Sequence, residues 1–265
     1  MSKPRDESKS RMIEEALKYT PYNDPTSLKR LKLIIEQVLE HSKTKPGSKI
    51  RVLDIGCGVG SIIFPIAALG YEAIGVDIDE NSIALCTEKN IFPSLTFKVG
   101  DAETLDLGQK FDVVIASEVI EHVPHPELLL RTVARHLAED GIAVLSLPNG
   151  YSLWELIIAR FIQKSRLVSK LYQSPRLYKS LTGADTPFHS KNVSCLHSYF
   201  FSFGRLKKLL VGNDFKISLV RHFAMGIFPE WAIFNLLKRI ECRIADFVPH
   251  FLAGGWLLVI NKERL

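Results

Sequence analysis

The sequence predicts an α/β fold with a doubly wound, mostly parallel sheet covered by helices. One observation is that apolar strand segments alternate with helical segments over residues 49–149. A second is the stretch VLDIGCGVG at 52–60, where three glycines directly follow the first strand and predict a tight strand-to-helix turn. A third is a pair of later strand segments, 215–224 and 254–262, which we expect at one edge of the sheet with one of them antiparallel.

Each element follows from its own pattern. Helices are predicted at 10–19 and 26–42, the second from apolar residues at helical spacing. Five strands and three helices then alternate, and the last of these helices is predicted over 126–140, ending before Gly141. The five strands are KIRVLDI, YEAIGVD, LTFKVGD, FDVVIAS and IAVLSLPN. Further helices are predicted at FGRLKKLLVGND and at 229–247.

The chain divides into two parts. Residues 1–48 are predicted to form N-terminal helices after about ten disordered residues. The main domain covers 49–265, and an insertion without a strand signal occupies 151–200 after the fifth strand. The four cysteines lack paired or metal-ligand spacing, the N-terminus has no apolar signal core, and no apolar run approaches the roughly 18 residues of a transmembrane helix. A cytoplasmic protein is therefore expected.

The glycine turn favours S-adenosylmethionine over a dinucleotide. A dinucleotide fingerprint reads G-x-G-x-x-G, whereas here the third glycine comes one residue early and Ser61 takes its place. Asp54 precedes the turn by two residues, and its carboxylate would repel a pyrophosphate. The sulfonium and ammonium groups of S-adenosylmethionine suit an acidic neighbour instead.

Acidic residues also follow the next two strands. Asp77 ends the second strand, where a carboxylate can accept both ribose hydroxyls, as it also does in NAD sites. Asp101 follows the third strand and can accept the adenine amino group. Asp79 is interpreted as a helix N-cap, Cys57 as a small turn filler, and Asp112 as structural.

Five motifs in this order carry a family resemblance. They are VLDIGCGVG, GVDIDENSI, GDAETL, FDVVIASEVIEHVPHPELLL and GIAVLSLPN, and they span about residues 50–150. The set resembles the class I S-adenosylmethionine-dependent methyltransferases, in particular the ubiquinone-biosynthesis O-methyltransferase-like group (methyltransferase types 11 and 23). The resemblance implies a Rossmann-like sheet of seven strands with the last one reversed. The expected cofactor-binding residues are Asp54, Gly56, Cys57, Gly58, Gly60, Asp77, Ile78, Asp101, Ala102 and Ser117.

The segment SEVIEHV is the expected site of chemistry. Glu118, Glu121 and His122 would share one face if the segment were a helical turn. Two carboxylates and an imidazole suit a divalent cation such as Mg²⁺, but equally a general base with an orienting acid, or a purely structural cluster. E-x-x-E-H resembles the ubiquinone-type O-methyltransferases and the small-RNA 2′-O-methyltransferases, where these positions hold a metal. LHSYFF resembles a family motif that makes His197 a candidate for a further ligand and catalytic residue, with His189 second, while a capped or surface histidine is the alternative.

The insertion is basic as well as apolar. Residues 151–182 carry six lysines and arginines against Glu155 alone. A basic amphipathic helix favours a lid, with or without peripheral contact to the inner face of the membrane, and nucleic-acid contact is the remaining alternative. Ubiquinone-type methyltransferases have a comparable insertion, associated with lipid-embedded substrates. Asn149, just before the insertion, is expected either to touch substrate or to form a turn.

These observations predict a methyltransferase acting on oxygen of a lipophilic or membrane-associated small molecule. A quinone precursor, a lipid or a lipid-linked glycan would be the acceptor. An RNA 2′-O- or tRNA methyltransferase is the first alternative, suggested by the E-x-x-E-H cluster and the basic insertion. A non-catalytic cofactor-binding partner protein is the second, and a nicotinamide-dependent dehydrogenase the third.

Overall fold

The computed structural model describes residues 7–152, 199–225 and 235–263. Within these ranges the helices are α1 (Glu7–Ala16), α2 (Pro25–Lys43), α3 (Ile63–Ala68), α4 (Glu80–Lys89), α5 (Pro126–His136), α6 (Phe203–Val211) and α7 (Asn235–Ile244). Short 3₁₀ turns cover Leu17–Tyr19 and Ala245–Phe247. The strands are β1 (Arg51–Ile55), β2 (Glu72–Asp77), β3 (Leu95–Val99), β4 (Phe111–Ser117), β5 (Leu137–Pro148), β6 (Phe215–Ala224) and β7 (Gly255–Lys262).

The strands form one seven-stranded sheet in the order β3-β2-β1-β4-β5-β7-β6. Neighbouring strands from β3 to β5 are parallel, and β7 is antiparallel to both β5 and β6. The predicted fold class, with a reversed last strand at the edge pair, is confirmed. Since the strand order reverses direction between β1 and β4, the loops after these strands open a crevice at the carboxyl edge of the sheet.

Helices cover both faces of the sheet. Apolar residues of α1 to α4 form one core with the side chains on the near face of the strands, and α5 and α6 form a second core on the other face. Strands β4 and β5 contribute to both cores, because successive side chains of a strand point to opposite faces. Burial on both sides explains why VVIA in β4 and AVLSL in β5 are continuously buried and mostly apolar, without alternation of apolar and polar residues.

The N-terminal helices pack onto the first core. Helix α2 begins after Asp24, whose carboxylate accepts the backbone N–H of Ser27 at 2.8 Å, and Pro25 occupies the first turn. Its buried stripe includes Leu31, Ile34 and Val38, which matches the predicted helical spacing. Helix α1 begins at Glu7, so residues 7–10 are helical where disorder was expected.

The prediction that the helix over 126–140 ends before Gly141 is wrong. Helix α5 ends at His136, and β5 begins with Leu137, which pairs with Phe111 before a register shift. A Cβ on Gly141 would lie 2.9 Å from the carbonyl oxygen of Asp112. This glycine therefore permits close approach of β5 to β4 rather than terminating a helix.

At the far end of the sheet, β7 lies between β5 and the edge strand β6. Trp256 of β7 is fully buried, and its indole N–H donates to the carbonyl of His250 at 2.9 Å. Helix α7 joins the end of β6 to the loop before β7 and packs on α2. Within the three described ranges, no helix has both the length and the apolar composition required to cross a bilayer.

Candidate active site

The glycine turn after β1 is held against β2 by its own backbone. The N–H groups of Gly56 and Cys57 both donate to the carbonyl of Val76, at 2.7 and 2.9 Å. Gly56 has φ +73°, and a Cβ there would lie 2.5 Å from Cγ2 of Val119, in the loop after β4. Gly58 has φ +51°, but a Cβ there would meet nothing within 4 Å. The turn therefore packs tightly on one side and leaves open space at Gly58 on the other.

Asp77, at the end of β2, is oriented by two backbone donors. Its Oδ2 accepts the N–H of Gly58 at 2.7 Å and its Oδ1 accepts the N–H of Asp79 at 2.9 Å. The carboxylate is thereby fixed beside the glycine turn, as a ribose-binding role requires. The interpretation of Asp79 as a helix N-cap is confirmed, because its side chain accepts the backbone N–H and the hydroxyl of Ser82 at the start of α4.

Asp54 is a buried carboxylate beside the same turn. It is 1% exposed, and its Oδ2 has no hydrogen-bond partner among the described residues. Burial, together with the nearby charge of Asp77, raises the pKa of Asp54 well above its ordinary value. A buried carboxylate oxygen without a partner is stabilised by a cationic ligand group, so this site fits an ammonium or sulfonium group and not a pyrophosphate.

The other predicted cofactor residues line the same carboxyl edge. Ile78 is exposed after β2, while Asp101 follows β3 with its Oδ1 accepting the N–H of Glu103 at 2.8 Å. Ala102 packs against the second core, and Ser117 ends β4 with its hydroxyl 2.7 Å from that of Ser146. Their contacts with the cofactor remain predictions, but all four lie where the cofactor crevice is expected.

Cys57 and Gly60 belong to the inner side of the turn. The Cys57 side chain is buried in the first core, and burial raises the pKa of its thiol well above the ordinary range. A Cβ on Gly60 would lie 2.5 Å from the ring of Phe64 in α3. Both positions pack the turn from within, which supports the turn-filler interpretation of Cys57 and limits its contribution to the cofactor to backbone atoms.

The E-x-x-E-H segment is a bend followed by a turn, so it is not the helix that would place its three side chains on one face. Glu118 has φ +57°, in the left-handed region, and its N–H donates to the carbonyl of Ser146 at 2.8 Å. Its carboxylate lies 3.0 Å from the guanidinium of Arg30 and accepts the Ser146 hydroxyl at 3.1 Å. Glu118 is thus held by an arginine from α2 and a serine from β5.

Glu121 and His122 have different surroundings. Glu121 is almost fully buried, and its Oε1 lies 3.9 Å from Nε2 of His122. The His122 side chain is 39% exposed at the carboxyl edge. Tyr199 donates its N–H to the Glu121 carbonyl at 3.1 Å, so the chain that resumes after the insertion packs directly on this turn. Of the three residues, His122 has the most exposed side chain, and it lies beside a buried acid.

The cluster does not fit the predicted Mg²⁺ site. In the three described ranges, no group of three or more histidine, cysteine, aspartate or glutamate side chains is arranged to hold a metal ion. The guanidinium of Arg30 already forms an ion pair with the Glu118 carboxylate, and its positive charge would repel a divalent cation at that position. His197, His189 and most of the insertion at 151–200 lie outside the described residues and stay predictions. This includes residues 153–182 of the proposed membrane-contacting segment.

Sequence reasoning missed Arg30 and Ser146. Arg30 lies on the mostly apolar buried stripe of α2, four residues before Ile34, and it is only 9% exposed. A cation on such a stripe was a signal for a buried partner, but nothing local identifies Glu118 as that partner. The guanidinium also lies 5.5 Å from the ring centroid of Phe223, which fixes it further.

Two other polar residues are structural. The Asn149 side chain accepts the Tyr151 N–H at 3.0 Å and donates to the carbonyls of Phe251 and Ala253 at 3.2 and 2.8 Å, so it forms a turn and anchors the loop before β7. Asp112 accepts the backbone N–H of Arg51 at 2.8 Å and also bonds Lys45, which confirms its structural interpretation.

Comparison with known proteins shows which family the chain belongs to. A family model described as a methyltransferase domain matches residues 27–218, well over half of the chain. The chain belongs to the methyltransferase domain family. This methyltransferase is S-adenosylmethionine-dependent, and the family and activity class predicted from the sequence are confirmed.

Relatives and solved structures agree with this assignment. The ubiquinone biosynthesis O-methyltransferase of Rickettsia akari is 30% identical over 169 residues, which cover 59% of this chain and 66% of that protein. The methyltransferase thus spans about two thirds of the length of that relative.

Two solved structures share the fold. Magnesium protoporphyrin IX methyltransferase from Synechocystis PCC 6803, with bound SAH, has a TM-score of 0.56 at 16% identity, covering 98% of this chain and 97% of that one. A methyltransferase from Methanosarcina mazei has a TM-score of 0.55 at 18% identity, covering 84% and 97%.

Proposed function

We propose that the methyltransferase transfers a methyl group to an oxygen of a lipophilic small molecule, such as a phenolic quinone precursor. One observation carries the proposal: His122 is accessible at the carboxyl edge, next to buried Glu121, on the turn that contacts the cofactor-binding loop. This is the arrangement that an acceptor hydroxyl needs for deprotonation beside a bound methyl donor. The similarity to ubiquinone biosynthesis O-methyltransferases supports the same acceptor class.

The glycine turn, Asp54 and Asp77 bind the cofactor in this proposal. The unpartnered oxygen of Asp54 meets a cationic group, and the oriented carboxylate of Asp77 accepts ribose hydroxyls. Open space at Gly58 allows the ligand to approach the backbone. When bound, S-adenosylmethionine supplies a methyl group activated by the sulfonium.

His122 acts as the general base. Its imidazole would take the proton of the acceptor hydroxyl, and bound S-adenosylmethionine would supply the methyl group to that oxygen. The carboxylate of Glu121, 3.9 Å away, stabilises the imidazolium that results. Arg30 and Glu118 position the acceptor side of the crevice, because their ion pair joins α2 to the end of β4. The residues mainly align the acceptor with the donor, since the methyl carbon is already activated.

The decisive experiment is methyl transfer from labelled S-adenosylmethionine to a panel of acceptors. The panel contains catechols with and without an isoprenoid tail, matched amines, and unmodified RNA. We expect a methyl ether on the tailed catechol, and we expect His122→Ala to lower kcat by about a hundredfold or more, with unchanged cofactor affinity.

His125→Ala is the matched control, because His125 is also accessible, lies three residues further on and has no place in the proposed chemistry. Transfer to an amine or to RNA in preference to the catechol would overturn the acceptor assignment. Full activity of His122→Ala would overturn the assignment of the base. Cofactor binding without transfer to any acceptor would favour a non-catalytic partner protein.

A further inference from the structure

Helix α7 buries charged residues and exposes apolar ones. Lys238 and Glu241 point into the protein, where their side chains are almost fully buried and form an ion pair at 3.3 Å. Leu236, Ile240 and Ile244, spaced by four residues, lie instead on the exposed face of the helix. A surface helix normally has the opposite arrangement, so the exposed apolar stripe indicates a contact surface.

The stripe continues into the segment after the helix. Phe247 is 87% exposed and Phe251 is 71% exposed, and Leu252 is also exposed. We call the six side chains together the α7 face: Leu236, Ile240, Ile244, Phe247, Phe251 and Leu252. Single exposed apolar side chains are ordinary on a protein surface, but six on one helix and the loop that follows it are not.

The α7 face is bordered by positive charge. Arg239 and Arg243 are exposed on the same side of α7, and neither forms an ion pair with a residue that the structure describes. The carboxylates of this segment are both neutralised, since Glu241 pairs with Lys238 and Asp246 pairs with Lys29 at 2.8 Å. The exposed charge beside the apolar stripe is therefore cationic.

This face lies at the carboxyl edge of the sheet, together with the active site. The start of β7 at Gly255 pairs with the end of β5 at Pro148, so the loop that carries Phe251 emerges at that edge. Helix α2 connects the two regions directly. Lys29 donates to the carbonyl of Cys242 at 2.6 Å, and the next residue, Arg30, pairs with Glu118.

We propose that the α7 face docks on the surface of an anionic lipid bilayer. Its apolar side chains would enter the boundary between headgroups and acyl chains, and Arg239 and Arg243 would contact lipid phosphates. The charge argues against a second copy of this chain, because a twofold contact through this face would bring four unpaired arginines together. The docking surface goes beyond the proposed function and lies outside the predicted membrane-contacting segment at 151–182.

Vesicle co-sedimentation tests this proposal without any acceptor. The full chain is mixed with vesicles of neutral phosphatidylcholine, or of phosphatidylcholine with phosphatidylglycerol, at low and high salt. The variants are Phe247→Asp, Leu236→Asp and the double replacement Arg239→Ala with Arg243→Ala. Ile91→Asp is the matched control, because Ile91 is 70% exposed but lies before β3, at the opposite edge of the sheet. Cofactor affinity is measured for each variant to verify folding.

We expect binding to anionic vesicles that falls at least tenfold in Phe247→Asp and Leu236→Asp and stays unchanged in Ile91→Asp. The double arginine replacement should weaken it by about 25-fold, or roughly fivefold for each cation removed. No binding by the wild-type chain, or equal binding by the α7 variants, would overturn the proposal.

Two further results would also overturn it. One is a wild-type chain that binds RNA but not vesicles, together with α7 variants that no longer bind RNA. The other is a wild-type dimer that Phe247→Asp converts to monomers. Methyl transfer is not measured here, so failure of the proposed acceptor class leaves the outcome interpretable.

Discussion

The guanidinium of Arg30 lies 3.0 Å from the carboxylate of Glu118. Arg30 belongs to an N-terminal helix, whereas Glu118 follows the central strand β4 in the left-handed conformation. This pair places a fixed positive charge at the position where the E-x-x-E-H pattern suggested a metal ion. It also connects α2 directly to the candidate active site.

Removing the guanidinium tests the role of this pair. We expect Arg30→Ala to lower the free energy of unfolding by about 2–4 kcal/mol, since it leaves a partly buried carboxylate without its cation. Acceptor turnover should fall while S-adenosylmethionine affinity stays within about twofold, because Arg30 pairs with Glu118, which we place on the acceptor side of the crevice. Arg30→Lys should recover part of the loss.

Arg51→Ala is the control for Arg30→Ala. The Arg51 guanidinium also packs on an aromatic ring, that of Phe111 at 5.2 Å, but at the start of β1. We expect a stability loss without a turnover defect. Equal turnover defects in Arg30→Ala and Arg51→Ala would mean that Arg30 acts through stability alone.

Metal removal is expected to leave the enzyme unchanged. The Glu118 carboxylate is already occupied by Arg30, and the described residues offer no three-ligand cluster. Turnover after treatment with a chelator should equal turnover with added Mg²⁺ to within about twofold, and calorimetry with Mg²⁺ should give no saturable heat. Lost activity that Mg²⁺ restores would show that a metal is required after all.

Comparing substitutions at two glycines of similar conformation distinguishes backbone strain from loss of cofactor contact. Gly47 and Gly58 both have positive φ, and a Cβ at either would meet nothing within 4 Å. Gly47→Ala and Gly58→Ala should therefore each destabilise the fold by about 1–2 kcal/mol. Only Gly58→Ala should weaken S-adenosylmethionine binding, by at least tenfold in titration calorimetry, since its methyl group would project into the cofactor space. Equal affinity of both variants for S-adenosylmethionine would mean that the cofactor does not bind against Gly58.

The raised pKa of Asp54 predicts that the stability of the cofactor-free protein and its affinity for S-adenosylmethionine change in opposite directions with pH. Its pKa is raised in the folded state, so the folded protein binds a proton more tightly than the unfolded chain. Between the two pKa values, stability without cofactor falls as pH rises. Cofactor affinity should rise over the same range, because a cationic ligand favours the ionised carboxylate.

Asp54→Asn separates these two effects. It should stabilise the protein near neutral pH by about 1–2 kcal/mol, remove the pH dependence of affinity, and weaken binding by tenfold or more. Thermal unfolding and calorimetry across pH measure both quantities. An unchanged affinity profile in Asp54→Asn would mean that another group titrates on binding.

His136 gives a stability prediction away from the active site. Its Nε2 accepts the N–H of Leu107 at 2.9 Å and its Nδ1–H donates to the Thr132 carbonyl at 2.8 Å, so the neutral imidazole links α5 to the loop before β4. Burial lowers the pKa of His136 below its ordinary 6.5. Stability should therefore decrease as pH falls below about 6.5, because the unfolded chain takes up the proton first.

His136→Gln should lower the free energy of unfolding at neutral pH by about 1–3 kcal/mol and flatten this acid-side decrease. His125→Ala, an exposed neighbouring histidine, should do neither. Denaturant unfolding at several pH values distinguishes the two variants.

Local patterns determined how far the sequence could predict the structure. The positions of Asp54, Gly58 and Asp77 at the carboxyl edge could be predicted from where each strand ends, and alternation of strands and helices sufficed for the fold class. The end of α5 was predicted wrongly because LAED suits a helix by composition, whereas pairing of Leu137 with Phe111 draws it into β5. The environment of Glu118 depends on Arg30 and Ser146, which are distant in sequence, so no local pattern could reveal it.

The position of β7 between β5 and β6 constrains the order in which the protein can assemble during synthesis. Strand β6 lies at the edge of the sheet and pairs with β7, which follows it in the chain. While the ribosome is still producing β7, the backbone groups of β5 and β6 that bond β7 in the folded protein have no partner strand. The apolar side chains of β6 are exposed during the same interval. The nascent methyltransferase should therefore expose an open sheet edge until residues 255–262 leave the exit tunnel, and chaperone contact should be concentrated in that interval.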